Sequence, residues 1–600
     1  MALNLENKEI GYKEIRVLSV ALRYNKTIAM LNLNYNQIGI RGTQYLSEVL
    51  RNKTTLTKLE LRDNEIRAEG ALYLADIINN NTTLVELDLN DNDIRDQGLK
   101  YLAGAFRKSK ALTTLSLAGN KIEDQGMYHL ANAFQNTTTL TALDLGRNKI
   151  GNLGIKYLAD GFRKNKALIK LKLVSNEIGA EGAQHLGKAL ENNNTLAELD
   201  LTVNKIGDEG VQYLANAFKN NNTLNQLYLE DNETSDEEQH RETDVPSSGK
   251  TLITFDLKDE EKGAERAHYL ADIFANNETL NTLNLENDNI GSQGTQHLAN
   301  AFQNNKTLTT LNLASNAIGD EGVQHLTKIL ENNNTLTTLN LAKNGIDAKG
   351  AEHLAKALEG NKTLITLNLS SNEIGTEGAQ HLAKALENNN TLTELDLANN
   401  NIYNEGTQHL AKALETNNTL TALNLARNEI GAEGIEQLTS FLRNNTTLVT
   451  LNLKHNKLEV DGVKHLAVGL ENNNTLHKLD LTRNQIGDQG AQDLATAFRD
   501  NKTLAYLGLD GNKIKQQGAQ HLAAAFENNK TLTFLDLAGN EIGDQGAQDL
   551  AAAFRNNTTL TTLDLRRNEI GKVSKHHVMQ TLRENTTLKL FLWDDVEDLD

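Results

Sequence analysis

Ten of the fifteen histidines fall in one sequence column, the kind of regular placement that could ligate metals: His129, His185, His297, His325, His353, His381, His409, His465, His521 and His577. Ligands that share one metal must converge within a few Å. Here they recur at multiples of 28 residues, and other repeats put Tyr in the same place, as at Tyr45, Tyr101 and Tyr269. Tyr is a poor substitute ligand, and side-by-side helices stand ~8–10 Å apart. The column therefore reads as amphipathic rings covering a helix base. Carboxylates form a second set: Glu60, Asp88, Asp144, Asp200, Asp256, Asp396, Asp480, Asp536 and Asp564, with Asn at seven other repeats. Placed on neighbouring strands, carboxylates two strands apart lie ~10 Å from one another, too far for a close catalytic pair. They suit an acid-biased rail for a partner, and equally the polar dressing of a wet parallel sheet.

Departures from the repeat say more. Tyr506 and Phe534 replace the small or polar residues usual at their strand position, and Arg427, His455, Arg483, Arg566 and Arg567 sit one or two residues before a regularly spaced Asn. Aromatic residues with arginine are the preferred composition of protein-interface hot spots. Together with Asp480, Asp536 and Asp564 they form the candidate partner-binding site. No phosphate loop, nucleophile elbow, HExxH motif or zinc-ligand spacing occurs. No catalytic, cofactor-binding or metal-binding residue is assigned, and the chain is not expected to be an enzyme.

The elements that would position these residues follow from the repeat, L-x-x-L-x-L-x-x-N-x-I-G-x-x-G-x-x-x-L-A-x-x-L followed by Asn-rich residues and Thr. Its Asn falls at Asn36 and every 28 residues thereafter through Asn568, with only Glu260 and Asp288 departing. A period of this size signals stacked supersecondary units. Leu311 and Leu313 alternate, as in a strand with one buried face. Gly322, Leu326 and Leu330 carry helical spacing. Identical strand–turn–helix units place the strands parallel and the helices on one side. The Asn amide both donates and accepts, so it can serve the backbone of the turn, and the glycine six residues later suits a tight turn or close approach at the helix start.

The totals narrow the class. There is no cysteine, hence no disulfide framework or thiolate site, and the formal net charge of −19 opposes general binding to a phosphate backbone. A protein partner is expected, and no nucleic acid. No run of about twenty apolar residues is present to span a membrane. The amino-terminal residues show no secretory pattern. Asn-x-Thr triplets such as Asn25-Lys26-Thr27, Asn52-Lys53-Thr54 and Asn361-Lys362-Thr363 would invite glycosylation in a eukaryotic secretory pathway. With the missing cysteine, they favour a cytoplasmic location or delivery by a bacterium into a host cell.

The pattern resembles the ribonuclease-inhibitor-like class of leucine-rich repeats over about residues 10–593. That class includes ribonuclease inhibitors, NLR sensor arrays and RanGAP-type GTPase activators. The resemblance implies an α/β leucine-rich-repeat solenoid with a concave parallel sheet and convex helices. Strand spacing of ~4.8 Å against helix spacing of ~8–10 Å implies curvature approaching a full turn, hence a rising superhelix or a local change of curvature. The Asn-rich, cysteine-free units look most like the repeats of effectors from intracellular bacterial pathogens. The expected function is a scaffold that recognises a partner protein on the concave face. The alternatives are a RanGAP-like GTPase regulator, for which no loop arginine is singled out, and a passive structural solenoid.

The expected organisation is an amino-terminal helical half-repeat cap at 1–27, arrays at 28–232 and 252–587, a degenerate loop-like segment at 233–251, and a closing half repeat with an acidic tail at 588–600. Leu588, Phe591 and Trp593 take the strand positions of that half repeat. In 233–250, Glu242 and Pro246 replace expected leucines, while Phe255 and Leu257 keep the 28-residue schedule. Glu260, Lys262, Arg266 and Asp288 are further departures nearby. Two readings stand: neutral decay on a convex surface, or a hinge.

Overall fold

The computed structural model describes residues 2–135, 137–218, 221, 223–224, 226–230, 232, 252–256, 263–275, 280–583, 585–588 and 590–592. The segment 233–251, Glu260, Lys262, Trp593 and the acidic tail lie outside them; of Arg266, Phe255 and Phe591 only the backbone is described.

The repeat is a strand, a turn and a helix, the strand three residues long except at Gln226–Glu230 and Leu252–Asp256, which have five. In one repeat, strand Thr310–Asn312 leads into helix Gly319–Asn332. Leu311 and Leu313 are fully buried from the strand side, and Val323, Leu326, Ile329 and Leu330 from the helix side. A leucine or isoleucine so buried contributes roughly 1.5–3 kcal/mol, so the stacked columns hold the array together. The glycine in the first turn of the helix serves close approach: a Cβ on Gly322 would lie 2.4 Å from Ile318 Cγ2 and 3.2 Å from the Ser292 backbone of the preceding helix.

The chain divides into two compact units, Met1–Asn289 and Ile290–Asp600. In each, successive strands pair in parallel. In the second, the register runs Leu311–Leu339–Leu367–Leu395 and onward to Leu507–Leu535–Leu563 without offset. Every sequence column is therefore also a spatial column. The first unit holds two departures from expectation. Ala2–Asn4 forms a strand paired with Met30–Asn32, so the segment read as a helical half repeat carries a strand as well. Strand Leu252–Asp256 is out of schedule: Ile253, not Phe255, pairs with both Leu227 and Leu283. A slip of two residues preserves the alternation of faces, so Ile253 and Phe255 are interchangeable to a reading based on period.

Two asparagine ladders run through the stack. The first is the expected one. Asn344 Nδ2 donates to the carbonyls of Leu313 (2.8 Å) and Ala342 (3.1 Å), while its Oδ1 accepts from the backbone of Asn316 (2.9 Å) and Ile318 (3.3 Å). The second was concealed in the Asn-x-Thr triplets. Asn361 Nδ2 donates to Leu330 O at 2.7 Å and its Oδ1 accepts from the backbone of Thr363 and Leu364 at 3.0 and 2.8 Å. Its amide is spent on the preceding helix end and is buried, whereas Asn52 is exposed. Where this column holds Lys53, the ammonium donates to the carbonyls of Leu22 and Asn25 in the asparagine's stead, and burial pushes its pKa down.

Candidate functional site

Because the strand leucines point inward, the residues on either side of the first strand leucine line the open face of the sheet. In the Ile290–Asp600 unit this face carries a shallow groove of about 320 Å3 between strands Thr366–Asn368 and Lys478–Asp480. Its walls include Glu394, Asp396, Thr450, Asn452, Lys478 and Asp480. Lys478 also begins the adjoining feature. Its Nζ lies 4.8 Å from the centroid of the Tyr506 ring, and that ring stacks on Phe534 with centroids 4.6 Å apart and planes 13° from parallel. The repeat explains the stack. Lys478, Tyr506 and Phe534 occupy one column on three consecutive paired strands, and the ~4.8 Å strand spacing is close to a stacking distance. Each of the two rings leans on the other.

Glycines aim the polar groups around the rings. At Gly508 the column between the leucines loses its side chain, and a Cβ there would stand 2.8 Å from Asp480 Oδ1 and 3.4 Å from the Tyr506 ring. Asp480 thus leans across Gly508 toward the phenol. Burial, with the charges of Asp480 and Asp536, pushes the Tyr506 hydroxyl up to about 12, so it is neutral at physiological pH. Burial also raises the Asp536 carboxyl, reinforced by Asp564, Asp510 and Asp480. Among the described residues neither Asp480 nor Asp536 has an ion pair; each spends one oxygen on the backbone two residues on, Thr482 at 3.0 Å and Ala538 at 3.0 Å.

The structure divides the remaining predicted residues between rim and seal. Arg427, His455 and Arg483 share a left-handed turn position with φ of 56°, 55° and 56°, one per repeat. They are close enough that burial, then Arg427 and Arg483, push the His455 pKa down. Arg483 bends over Gly511, where a Cβ would stand 2.8 Å from its Cγ. Arg567 reaches across two repeats to Asp510 at 3.4 Å. Asp564 is withdrawn from the surface: its side chain is 4% exposed and closed by Arg566, with Nη2–Oδ2 at 2.5 Å and Nε–Oδ1 at 3.0 Å. Arg566 and Asp564 therefore satisfy each other at the site's carboxyl side. Period-based reading missed Lys478, Gly508, Gly511 and Asp510. The signal for the glycines was present, as gaps in columns otherwise filled by side chains.

The same face of the Met1–Asn289 unit is dressed differently. Lys58 bridges Glu60 (3.1 Å) and Glu86 (3.4 Å), Lys170 pairs with Glu198 (2.7 Å), and Asp91 takes both Arg62 (3.0 Å) and Arg147 (2.9 Å). On the helix side, no three His, Asp or Glu side chains among the described residues could hold a metal ion. No described helix is long and apolar enough to cross a membrane.

A family model described as Leucine Rich repeat matches residues 52–75, 80–103, 108–131, 136–159, 164–187, 192–215, 304–326, 332–355, 360–383, 388–411, 416–438, 444–467, 472–495, 528–551 and 556–573, more than half of the chain. Among solved structures the chain is similar to the mouse RP105/MD-1 complex, with 18% identity, a TM-score of 0.52, and coverage of 97% of this chain and 81% of that one. It also aligns with a plant peptide hormone receptor, RGFR1 in complex with RGF2, at 14% identity and a TM-score of 0.36, covering 96% and 83% of the two chains. The first is a likeness of fold alone, and the second carries no argument. No curated protein matches the chain.

Proposed function

The chain belongs to the leucine-rich repeat family, and from that premise we propose that it is a protein-binding scaffold whose contact surface is the open sheet face of the Ile290–Asp600 unit. The observation that carries this reading is the Tyr506–Phe534 stack beside a groove whose carboxylates, Glu394, Asp396 and Asp480, make no ion pair among the described residues. Half-buried aromatic rings fixed by stacking are pre-ordered anchors, and such anchors dominate interface energetics. Groove and rings together span the strands from Thr366 to Phe534, six strand intervals or roughly 29 Å. That length matches an extended segment of about nine residues, whereas small-molecule sites are enclosed. The strand–helix unit of 28 residues supports the ribonuclease-inhibitor-like subtype. The Asn-rich, cysteine-free composition makes a host protein, met by a bacterially delivered scaffold, the partner class to test first.

Selection of displayed random peptides on the full chain tests the site. Binders should lose roughly thirtyfold in affinity for each ring removed by Tyr506→Ala and Phe534→Ala. They should be indifferent to Lys58→Ala with Glu86→Ala on the other unit. Undiminished binding by the Tyr506→Ala, Phe534→Ala variant, with an unchanged circular dichroism spectrum, rejects this surface.

A further inference from the structure

Among the described residues the aromatic stack is capped on one side only. Along consecutive strands the first column reads Lys478, Tyr506, Phe534, Thr562. The chain's own ammonium covers the near face of Tyr506 at 4.8 Å, and Phe534 covers its far face at 4.6 Å. The next layer, one strand spacing beyond Phe534, falls over Thr562, whose side chain is too short to cover a ring. Beside that place, on the same strand as Phe534 and two residues along, stands Asp536, which has no ion pair among the described residues. Asp564, on the far side, is already taken by Arg566.

We propose that the face of Phe534 above Thr562 is a guanidinium seat, and that the partner segment bound on this sheet presents an arginine to it. The proposal rests on the binding reading above and names the chemistry of its anchor. A cation is favoured over the face of an aromatic ring, more so when desolvated. Arginine suits this place better than lysine, since its planar group can lie flat on Phe534 while its fork of donors faces Asp536. The molecule contains a version of the same arrangement in its other unit. Lys58, in the equivalent column, pairs with Glu60 two residues along its own strand at 3.1 Å and with Glu86 on the next strand at 3.4 Å. There the chain supplies both charges; around Phe534 it supplies the ring and the carboxylate and leaves the cation to another molecule.

Peptides selected on the full chain, and shown to depend on Tyr506 and Phe534, provide the probe. They should share an arginine, and replacing it by citrulline, which keeps the shape and removes the charge, should weaken binding roughly tenfold. Thr562→Lys should weaken the parent peptides by a similar factor, because the chain would then cap Phe534 itself. That variant is compatible with the fold, since the same column already holds Lys58, Lys170 and Lys478. Thr562→Ser should leave binding unchanged. Peptides that need Tyr506 and Phe534 but tolerate both citrulline and Thr562→Lys would overturn the arginine seat while the binding surface stands. A lysine that binds as tightly as the arginine would overturn the guanidinium assignment. Peptides indifferent to both rings would overturn the surface itself, and the seat with it.

Discussion

The two units share a frame and differ in what they hang on it. Both stack leucines, both run the same asparagine ladders, and both expose two columns of the strand to solvent. In Met1–Asn289 the first column largely pairs its own charges, with Lys58 between two glutamates and Lys170 on Glu198, and in the turn beyond two arginines converge on Asp91, while Asp88, Asp144 and Asp200 make no ion pair among the described residues. In Ile290–Asp600 the first column spends its ammonium on a ring, and Asp396, Asp480 and Asp536 make no ion pair among the described residues. A surface whose polar groups already satisfy one another gains little from a partner, because each new contact must first break an old one. Function in a repeat protein is thus to be sought where the columns stop balancing themselves.

If the frame is common, damage to it should cost the same in either unit. Asn92 serves five backbone groups and Asn344 four: Asn92 donates to the Leu61, Leu89 and Asn90 carbonyls and accepts from Asn64 and Ile66, and Asn344 donates to the Leu313 and Ala342 carbonyls and accepts from Asn316 and Ile318. Replacement by Leu orphans buried donors and acceptors at about 1–3 kcal/mol apiece. Asn92→Leu and Asn344→Leu should each cost on the order of 3 kcal/mol or more. Denaturant unfolding with hydrogen exchange would place the loss. A large asymmetry between them would break the premise of one frame.

The surfaces should respond in opposite ways to the loss of one lysine. Lys58→Ala leaves Glu60 and Glu86 facing each other, at a cost of roughly 0.2–1 kcal/mol that shrinks as salt is added. Lys478→Ala removes a cation from a ring and breaks no ion pair. It should cost about 0.5–1 kcal/mol and be less sensitive to salt, since a ring quadrupole acts only at contact. Thermal unfolding at low and high ionic strength separates the two; matching salt dependence would mean that Lys478 is serving the carboxylates instead of Tyr506.

The frame was legible because repetition turns each sequence column into a spatial one, so that leucine, glycine and asparagine explain themselves by recurrence. Tyr506 and Phe534 were legible for the converse reason, as interruptions of a column. What escaped has a common physical cause: it lies between columns. Gly508 matters because it lets Asp480 lean sideways, and Asp510 because Arg567 reaches it from two repeats away. Arg566 and Asp564, read as contact residues, cancel each other for the same reason. The second asparagine ladder escaped because its Asn-x-Thr spelling also spells a modification signal. The slip at Ile253 escaped because a displacement of two is invisible to a period of two.

The smallest expected effect concerns the aspartates of the sheet face. Burial raises the carboxyls of Asp88 and Asp536 alike, but their surroundings differ: Asp88 has Arg62 to pull it back down against Glu60 and Asp144, whereas the charges around Asp536 are only the carboxylates Asp564, Asp510 and Asp480. A raised folded-state pKa means that the folded chain holds its proton longer than the unfolded one. The stabilisation this brings is complete below the unfolded value of about 3.9 and is lost as pH rises through the folded value. At neutral pH Asp536 is therefore a small burden on the fold. Asp536→Asn should lift it without changing the geometry, since Asn424 in the same column already makes the equivalent bond, to Ala426 N at 3.1 Å. The variant should melt slightly above the parent at neutral pH, and the difference should vanish on acidification to about pH 3.9. Asp88→Asn should gain less, because removing that charge also removes an attraction to Arg62. An equal gain at both positions would show that desolvation alone governs these carboxylates, and that the open charge of the second unit has no energetic signature of its own.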